Sequence, residues 1–294
     1  MTEKLIKGTG VALVTPFRKD GSIDFRAFEK LIEHVITGGV DFVVLLGTTA
    51  ETPVLSQEEK DALVSHALEI INKRVKVVVG YGGNNTQALV NSIKDADFSG
   101  IDAILSVTPY YNKPTQKGLY AHFKAVANAS KVPVILYNVP GRTGSNLSAE
   151  TTLKLANDFE NIIAIKEASA NLDQIMQIIK NKPKEFVVLS GDDAITMPLI
   201  SLGMEGVISV SANALPKQMS LLVKHSIAGD YKKAFDIHYN ILDFTNLLFA
   251  EGNPAGIKAA LSIKDLVENN LRLPLVPVSK TTFSALQKIW EEIK

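Results

Sequence analysis

The sequence predicts an α/β fold, a closed (β/α)8 barrel, on two observations. Short runs rich in valine and isoleucine recur along the chain, each followed by a turn and then an amphipathic stretch. This alternation repeats eight times and stops near residue 227. Eight βα units are the signature of a TIM barrel, which closes on itself and leaves no sheet edge. An open, doubly wound sheet is the structural rival. Against it, the first strand lacks the Gly-x-Gly-x-x-Gly turn of a dinucleotide fold.

Taken in order, strands are expected near 11–15, 42–47, 75–80, 103–107, 133–137, 162–166, 186–190 and 207–210. Their continuous apolar character suits parallel strands buried on both faces. In the first helical stretch Phe28, Leu31, Ile32, Val35 and Ile36 fall at i, i+3, i+4, i+7 and i+8, one helix face. The second opens on Ser56-Gln57-Glu58-Glu59, a capping box, and carries Leu63, Ala67, Ile70 and Ile71 on one side. Beyond residue 227 the pattern is helical throughout, over 231–250, 254–267 and 281–293. Residues 1–227 are therefore expected to form the barrel with its active site, and 228–294 a C-terminal helical extension of the same structural unit.

Composition narrows the function. A chain of 294 residues with 46% hydrophobic content can bury one large core. Basic and acidic residues balance at 31 each, so no electrostatic footprint points to nucleic acid or an anionic membrane. The chain contains no cysteine, which excludes thiol nucleophiles, disulfides and cysteine-held metals. No apolar run approaches the ~18 residues that span a bilayer, and residues 1–7 carry no apolar signal-peptide core. A soluble, cytoplasmic protein is expected.

In a TIM barrel the chemistry lies at the C-terminal ends of the strands. There the sequence places Gly47-Thr48-Thr49-Ala50-Glu51-Thr52, Thr108-Pro109-Tyr110-Tyr111, Tyr137-Asn138-Val139-Pro140-Gly141-Arg142-Thr143, Lys166-Glu167 and Ser190-Gly191-Asp192-Asp193. The most informative residue is Lys166, a charged amine closing the apolar strand Ile162-Ile163-Ala164-Ile165. An unpaired ammonium is costly to bury. Desolvation favours a neutral amine, and a neutral amine adds to a carbonyl to form a Schiff base. Tyr137 ends the preceding strand in the same way and could ferry the protons that such a reaction needs. The bland alternative is a lysine that snorkels or pairs with Glu167. Alternation puts Lys166, Ala164 and Ile162 on one face, and Tyr137 with Ile135 on another that should meet it.

The remaining groups fit around this pair. Thr48 and Thr49 are either ordinary turn residues or a hydroxyl pair that binds a carboxylate and relays a proton. Arg142 follows the stiff Pro140-Gly141 turn, and its fork suits bidentate capture of a carboxylate. Tyr110-Tyr111 could serve packing, an interface or catalysis. Asp192-Asp193 reads as a helix cap rather than a Mg²⁺ site, and Gly80-Tyr81-Gly82-Gly83-Asn84 as a tight turn rather than a phosphate cradle. The histidines, His34, His66, His122, His225 and His238, all fall in helical stretches, which argues against histidine catalysis or a histidine-held metal.

Together, Gly47-Thr48-Thr49-x-Glu51, Tyr137-Asn138-Val139-Pro140-Gly141-Arg142-Thr143 and Ile165-Lys166-Glu167-Ala168 resemble the dihydrodipicolinate synthase family. The likeness runs from Gly8-Thr9-Gly10 to the helical tail. It implies a class I lyase, acting in diaminopimelate and lysine biosynthesis, that condenses pyruvate with aspartate semialdehyde and uses no metal or organic cofactor. By the same resemblance Lys166 forms the imine and Tyr137 is the central acid/base. Thr48 links Tyr137 to a Tyr111 reaching in from a neighbouring subunit. Thr49 holds the pyruvate carboxylate and Arg142 the semialdehyde carboxylate, while backbone near Gly191 and Ile208 lines the pyruvate pocket. A homo-oligomer, dimer or dimer of dimers (a homotetramer), follows.

The sequence departs from the family pattern at Ala50, Thr52 and Pro53, and at Ala170, where a glycine is frequent. At the lysine-inhibition site known in many members Asn84 and Tyr110 match, but Lys60 and Ala88 stand at the basic and acidic positions. Poor inhibition by lysine is expected. The nearest alternatives are a sister aldolase, such as N-acetylneuraminate lyase or a 2-keto-3-deoxy-sugar-acid aldolase, and, more remotely, a non-catalytic carboxylate-binding barrel.

Overall fold

A computed structural model describes residues 6–293. The valine- and isoleucine-rich runs form eight parallel strands: β1 (Gly8–Ala12), β2 (Phe42–Leu45), β3 (Lys76–Gly80), β4 (Ala103–Val107), β5 (Val134–Asn138), β6 (Ile162–Glu167), β7 (Val187–Ser190) and β8 (Gly206–Ser209). They close in sequence order, with β8 pairing back onto β1. The connecting helices are α1 (Phe25–Thr37), α2 (Gln57–Ile71), α3 (Thr86–Asp95), α4 (Gln116–Ala129), a single turn α5 (Pro140–Thr143), α6 (Ala149–Asp158), α7 (Leu172–Asn181), α8 (Thr196–Ser201) and α9 (Pro216–Ile227). The fold is a TIM barrel. The capping box at the start of α2 is formed as the sequence predicts, Ser56 Oγ accepting from Glu59 N–H and Glu59 accepting from Ser56 N–H.

Three more helices follow: α10 (Tyr231–Phe249), α11 (Ala255–Ile263) and α12 (Lys280–Glu292). α10 lies along α9, α11 packs on α10, and α12 covers both. Trp290 of α12 meets Phe244 edge-on at 5.2 Å. No helix of the described residues is long and apolar enough to cross a membrane.

Two apolar cores result. One fills the space between strands and helices; the other lies inside the barrel and includes Phe42, Val44, Val78, Leu105, Ile135 and Ala164. β1 begins three residues before the stretch expected from hydropathy, because Gly8, Thr9 and Gly10 give no apolar signal. The reason for Gly10 is spatial: a Cβ there would come within 2.2 Å of the Phe42 ring, which occupies the interior at that level.

The expected face sharing also needs one correction. Ala164 points into the barrel, but Ile162 belongs to the outer core. Between β5 and β6 the register slips, with Val134 opposite Ile162 and Ile135 already opposite Ala164. The extra residue, Ile163, is taken up as a bulge, which flips the alternation below the site.

Candidate active site

The strand register brings the two singled-out groups together. Tyr137 on β5 and Lys166 on β6 are direct partners across the ladder. Both stand above the interior pair Ile135 and Ala164, and the small Ala164 leaves room for the lysine stem. Lys166 is 6% exposed and its Nζ lies 4.4 Å from the centroid of the Tyr137 ring. Among the described residues it makes no ion pair. Glu167 is not its counter-ion, since the next residue on a strand points to the other face. That carboxylate is occupied there, accepting from Asn138 Nδ2 at 3.1 Å, Ser169 N–H at 2.8 Å and Gln174 Nε2 at 3.0 Å. Lys166 is thus a buried amine against an aromatic face, neither snorkelling nor paired.

Gly191 closes the other side of the lysine. Its N–H donates to the Glu167 carbonyl at 2.8 Å. A Cβ on it would lie 3.0 Å from Lys166 Cε and 2.7 Å from Ala168 Cβ, so only glycine fits without displacing the lysine tail. Ile208 of β8 is fully buried in the interior cluster that also holds Tyr137. Asp192 does act as a cap, its Oδ1 accepting from Ala194 N–H at 3.1 Å. Burial and the neighbouring Asp193 push the Asp192 carboxyl above its usual range. Asp193 Oδ2 takes the N–H groups of Val210 and Ser211 and so fixes the chain leaving β8.

The threonine turn follows β2. Thr48–Ala50 forms one 3₁₀ turn and Thr52–Val54 another, hinged on Glu51 at φ 56°. Thr48 is exposed, whereas Thr49 is buried and its Oγ1 accepts from Asn253 Nδ2 at 2.9 Å. Arg142 lies exposed on α5, a turn begun by Pro140 and closed by Gly144 at φ 69°; its Nη2 donates to the Asn253 carbonyl at 3.4 Å. Tyr111 is the outlier of the set. It is 88% exposed at φ 78°, and its N–H donates to the Thr143 carbonyl at 3.4 Å. Within one chain it is not packed onto Tyr137.

Several buried polar groups beside this site carry no periodic signal in the sequence. Asn253 touches both Thr49 and Arg142. Lys258 of α11 forms a fully buried ion pair with Glu51, and burial pulls its ammonium below the usual lysine value while Glu51 opposes that shift. The detectable signal was a lone charge in the otherwise apolar run Ala255-Gly256-Ile257-Lys258-Ala259-Ala260-Leu261. Asn138, beside Tyr137 in the quoted motif, holds Glu167 and accepts from Leu147 N–H at 2.9 Å, which secures the loop after β5. The histidines all lie on helices, in α1, α2, α4, α9 and α10.

A lysine amine thus faces a tyrosine at the C-terminal end of the barrel strands, and Asn253 links the threonine turn to Arg142. The profile of the dihydrodipicolinate synthetase family matches residues 5–293. The chain belongs to that family. It is similar to the 4-hydroxy-tetrahydrodipicolinate synthase of Phocaeicola vulgatus, 51% identical over 294 residues that cover 100% of this chain and 99% of the relative. Among solved structures, the dihydrodipicolinate synthase of Aquifex aeolicus superimposes with a TM-score of 0.94 at 41% identity, covering 98% of each chain. The chloride-inhibited enzyme of Acinetobacter baumannii, complexed with pyruvate, does so with a TM-score of 0.95 at 41% identity, covering 98% of this chain and 99% of that one.

Proposed function

We propose that this chain is a 4-hydroxy-tetrahydrodipicolinate synthase, a class I lyase of diaminopimelate and lysine biosynthesis that joins pyruvate to aspartate 4-semialdehyde. The observation that carries the reading is the buried, ion-pair-free Lys166 with its Nζ 4.4 Å from the Tyr137 ring. Lys166 attacks the pyruvate carbonyl, and loss of water gives an imine. The pyruvate methyl then loses a proton to give an enamine, which attacks the aldehyde of the second substrate; cyclisation releases the heterocyclic product. Tyr137 moves the protons at each stage. Thr49 holds the pyruvate carboxylate and Arg142 that of the semialdehyde, while Gly191 and Ile208 shape the pyruvate pocket. This route draws on side chains alone, so no cofactor is assigned.

Thr48 completes the relay to Tyr111 of a neighbouring subunit, which makes the working unit a dimer or a dimer of dimers. Supporting this, Tyr111 is 88% and Tyr110 41% exposed at one rim, and α7 carries the exposed Leu172 and Met176. Residues 228–294 belong to one structural unit with the barrel, a reading supported by the packing of α10 on α9 and the Glu51–Lys258 pair. The cytoplasm is the assigned compartment; no nucleic-acid or membrane partner is assigned.

The choice against a sister sugar-acid aldolase rests on Arg142, a carboxylate clamp where a sugar pocket would present neutral hydroxyl-binding groups. Turnover measured with aspartate semialdehyde and with N-acetylneuraminate tests it. Preference for the semialdehyde is expected; preference for the sugar acid would overturn the assignment.

A further inference from the structure

Two 3₁₀ turns in succession, joined by a left-handed glutamate, make a weakly self-supporting loop. Thr48 and Thr49 sit on it; Thr52 Oγ1 donates to the Gly47 carbonyl within it and Thr15 Oγ1 to the Ala50 carbonyl, each at 2.8 Å, and further restraint comes from outside the barrel. Four contacts from the C-terminal region supply much of that restraint, among them Arg272 Nη1 donating to the Val54 carbonyl at 2.9 Å. Asn253, on the turn before α11, donates its amide to Thr49 Oγ1 at 2.9 Å, and its carbonyl accepts from Arg142. One oxygen of Glu51 takes the Lys258 ammonium; the other takes Arg272 N–H at 3.0 Å. Lys258 also donates to the Asn270 carbonyl at 2.9 Å and lies 4.2 Å from the Phe17 ring centroid. Both charged side chains are wholly removed from solvent.

A buried ion pair is a poor way to stabilise a fold, because desolvation offsets much of the attraction and a well-packed apolar pair serves as well. What it supplies is a fixed position. The Asn253 contact adds a chemical consequence. Because Thr49 Oγ1 accepts from the amide, its own O–H hydrogen is left free to donate to an anion.

We propose that Asn253, Lys258 and Glu51 are positioning residues for the pyruvate site: Asn253 orients the Thr49 hydroxyl and Arg142 as a pair, and the Glu51–Lys258 bridge holds the threonine turn to α11. The C-terminal helices are then part of the active site and not merely a cover on the barrel. This rests on the reading of Thr49 and Arg142 as carboxylate holders.

The test uses the full-length protein, an uncharged pair of similar volume, Glu51→Gln with Lys258→Met, and separately Asn253→Ala. Four quantities are read: thermal midpoint, borohydride-trapped pyruvate on Lys166, KM and kcat, and exchange of the pyruvate methyl protons in D2O without the second substrate. The expected result is a trapped adduct at saturating pyruvate in both variants, with KM for pyruvate raised about tenfold or more and methyl exchange slowed by a similar factor. Wild-type KM and exchange in folded variants would overturn the proposal, as would an activity loss that merely tracks the folded fraction. If the double variant does not fold, Asn253→Ala, which removes no charge, carries the test by itself. An absent adduct in the wild-type protein would instead overturn the Schiff-base reading beneath it, a result distinct from either.

Discussion

Replacing Gly191 with alanine isolates the space beside Lys166. Gly191 does not adopt a left-handed φ, so the added methyl carries no backbone strain and acts through sterics alone. It would stand 3.0 Å from Lys166 Cε, 3.2 Å from Cγ and 2.7 Å from Ala168 Cβ, where ordinary contact begins at 3.4 Å. The shortfalls are about 0.4 Å at Cε and about 0.7 Å at Ala168. The Ala168 Cβ is fixed to its backbone, so the chain after β6 must shift to relieve that contact, and the flexible lysine tail gives way as well. Displacing a reacting group by 1 Å costs about 100-fold; a shift of roughly half that should lower the rate of imine formation about tenfold. Overpacking should cost roughly 1–3 kcal/mol of stability, leaving the protein folded at room temperature. The assay is the rate of borohydride trapping with pyruvate, paired with calorimetry. A Gly191→Ala protein that traps pyruvate at the wild-type rate would refute the placement of the reactive amine beside Gly191.

Other expectations follow from the same structure. Tyr111→Phe should lower kcat by about 100-fold or more, the range of a lost proton-transfer group, with an unchanged thermal midpoint because the ring is 88% exposed. Co-expression with a Lys166→Ala chain should restore part of the activity if Tyr111 acts across subunits, and no recovery would contradict that. Lysine should inhibit poorly: Asn84 donates to the Tyr110 carbonyl at 3.3 Å, but at the positions to which the family resemblance assigns the basic and acidic groups of the inhibitory site stand Lys60, a full cation, and Ala88, no acid. Half-inhibition well below millimolar in an activity titration would contradict it.

Acid should destabilise the fold through His122, whose imidazole is pushed down to about 4 by burial, with Nδ1 2.8 Å from Thr86 Oγ1. The unfolded chain binds its proton near pH ~6.5, so this contribution is complete above that pH and is lost as pH falls toward the folded value. The loss is up to roughly 3 kcal/mol. Urea unfolding at pH 7 and pH 4.5 should show a smaller difference in His122→Gln than in wild type; equal differences would remove His122 as the cause.

The barrel was legible because each of its strands except the first is written in branched apolar residues. β1 was misplaced by three residues because the interior there is filled by Phe42 from the next strand, leaving glycines and a threonine to form the ladder. The pairing of Lys166 with Tyr137 was legible from two polar residues ending adjacent strands in the same way. The bulge at Ile163 was not, since apolar residues on both sides of it hide a change of face. The support from Asn253 and Lys258 was out of reach of periodicity for another reason. These contacts join positions about 200 residues apart in the chain, Asn253 to Thr49 and Lys258 to Glu51, and only the closed fold brings them together. Tyr111 marks the opposite limit: one chain leaves it in solvent, and its role is read from the family pattern.

The most direct test of the account is to incubate the protein with pyruvate and borohydride and to locate the modified peptide by mass spectrometry. A reduced pyruvyl adduct on Lys166 is the predicted result and would place the chemistry on the amine that faces Tyr137. A folded protein with no adduct at Lys166, or with the adduct on another lysine, would contradict the central claim.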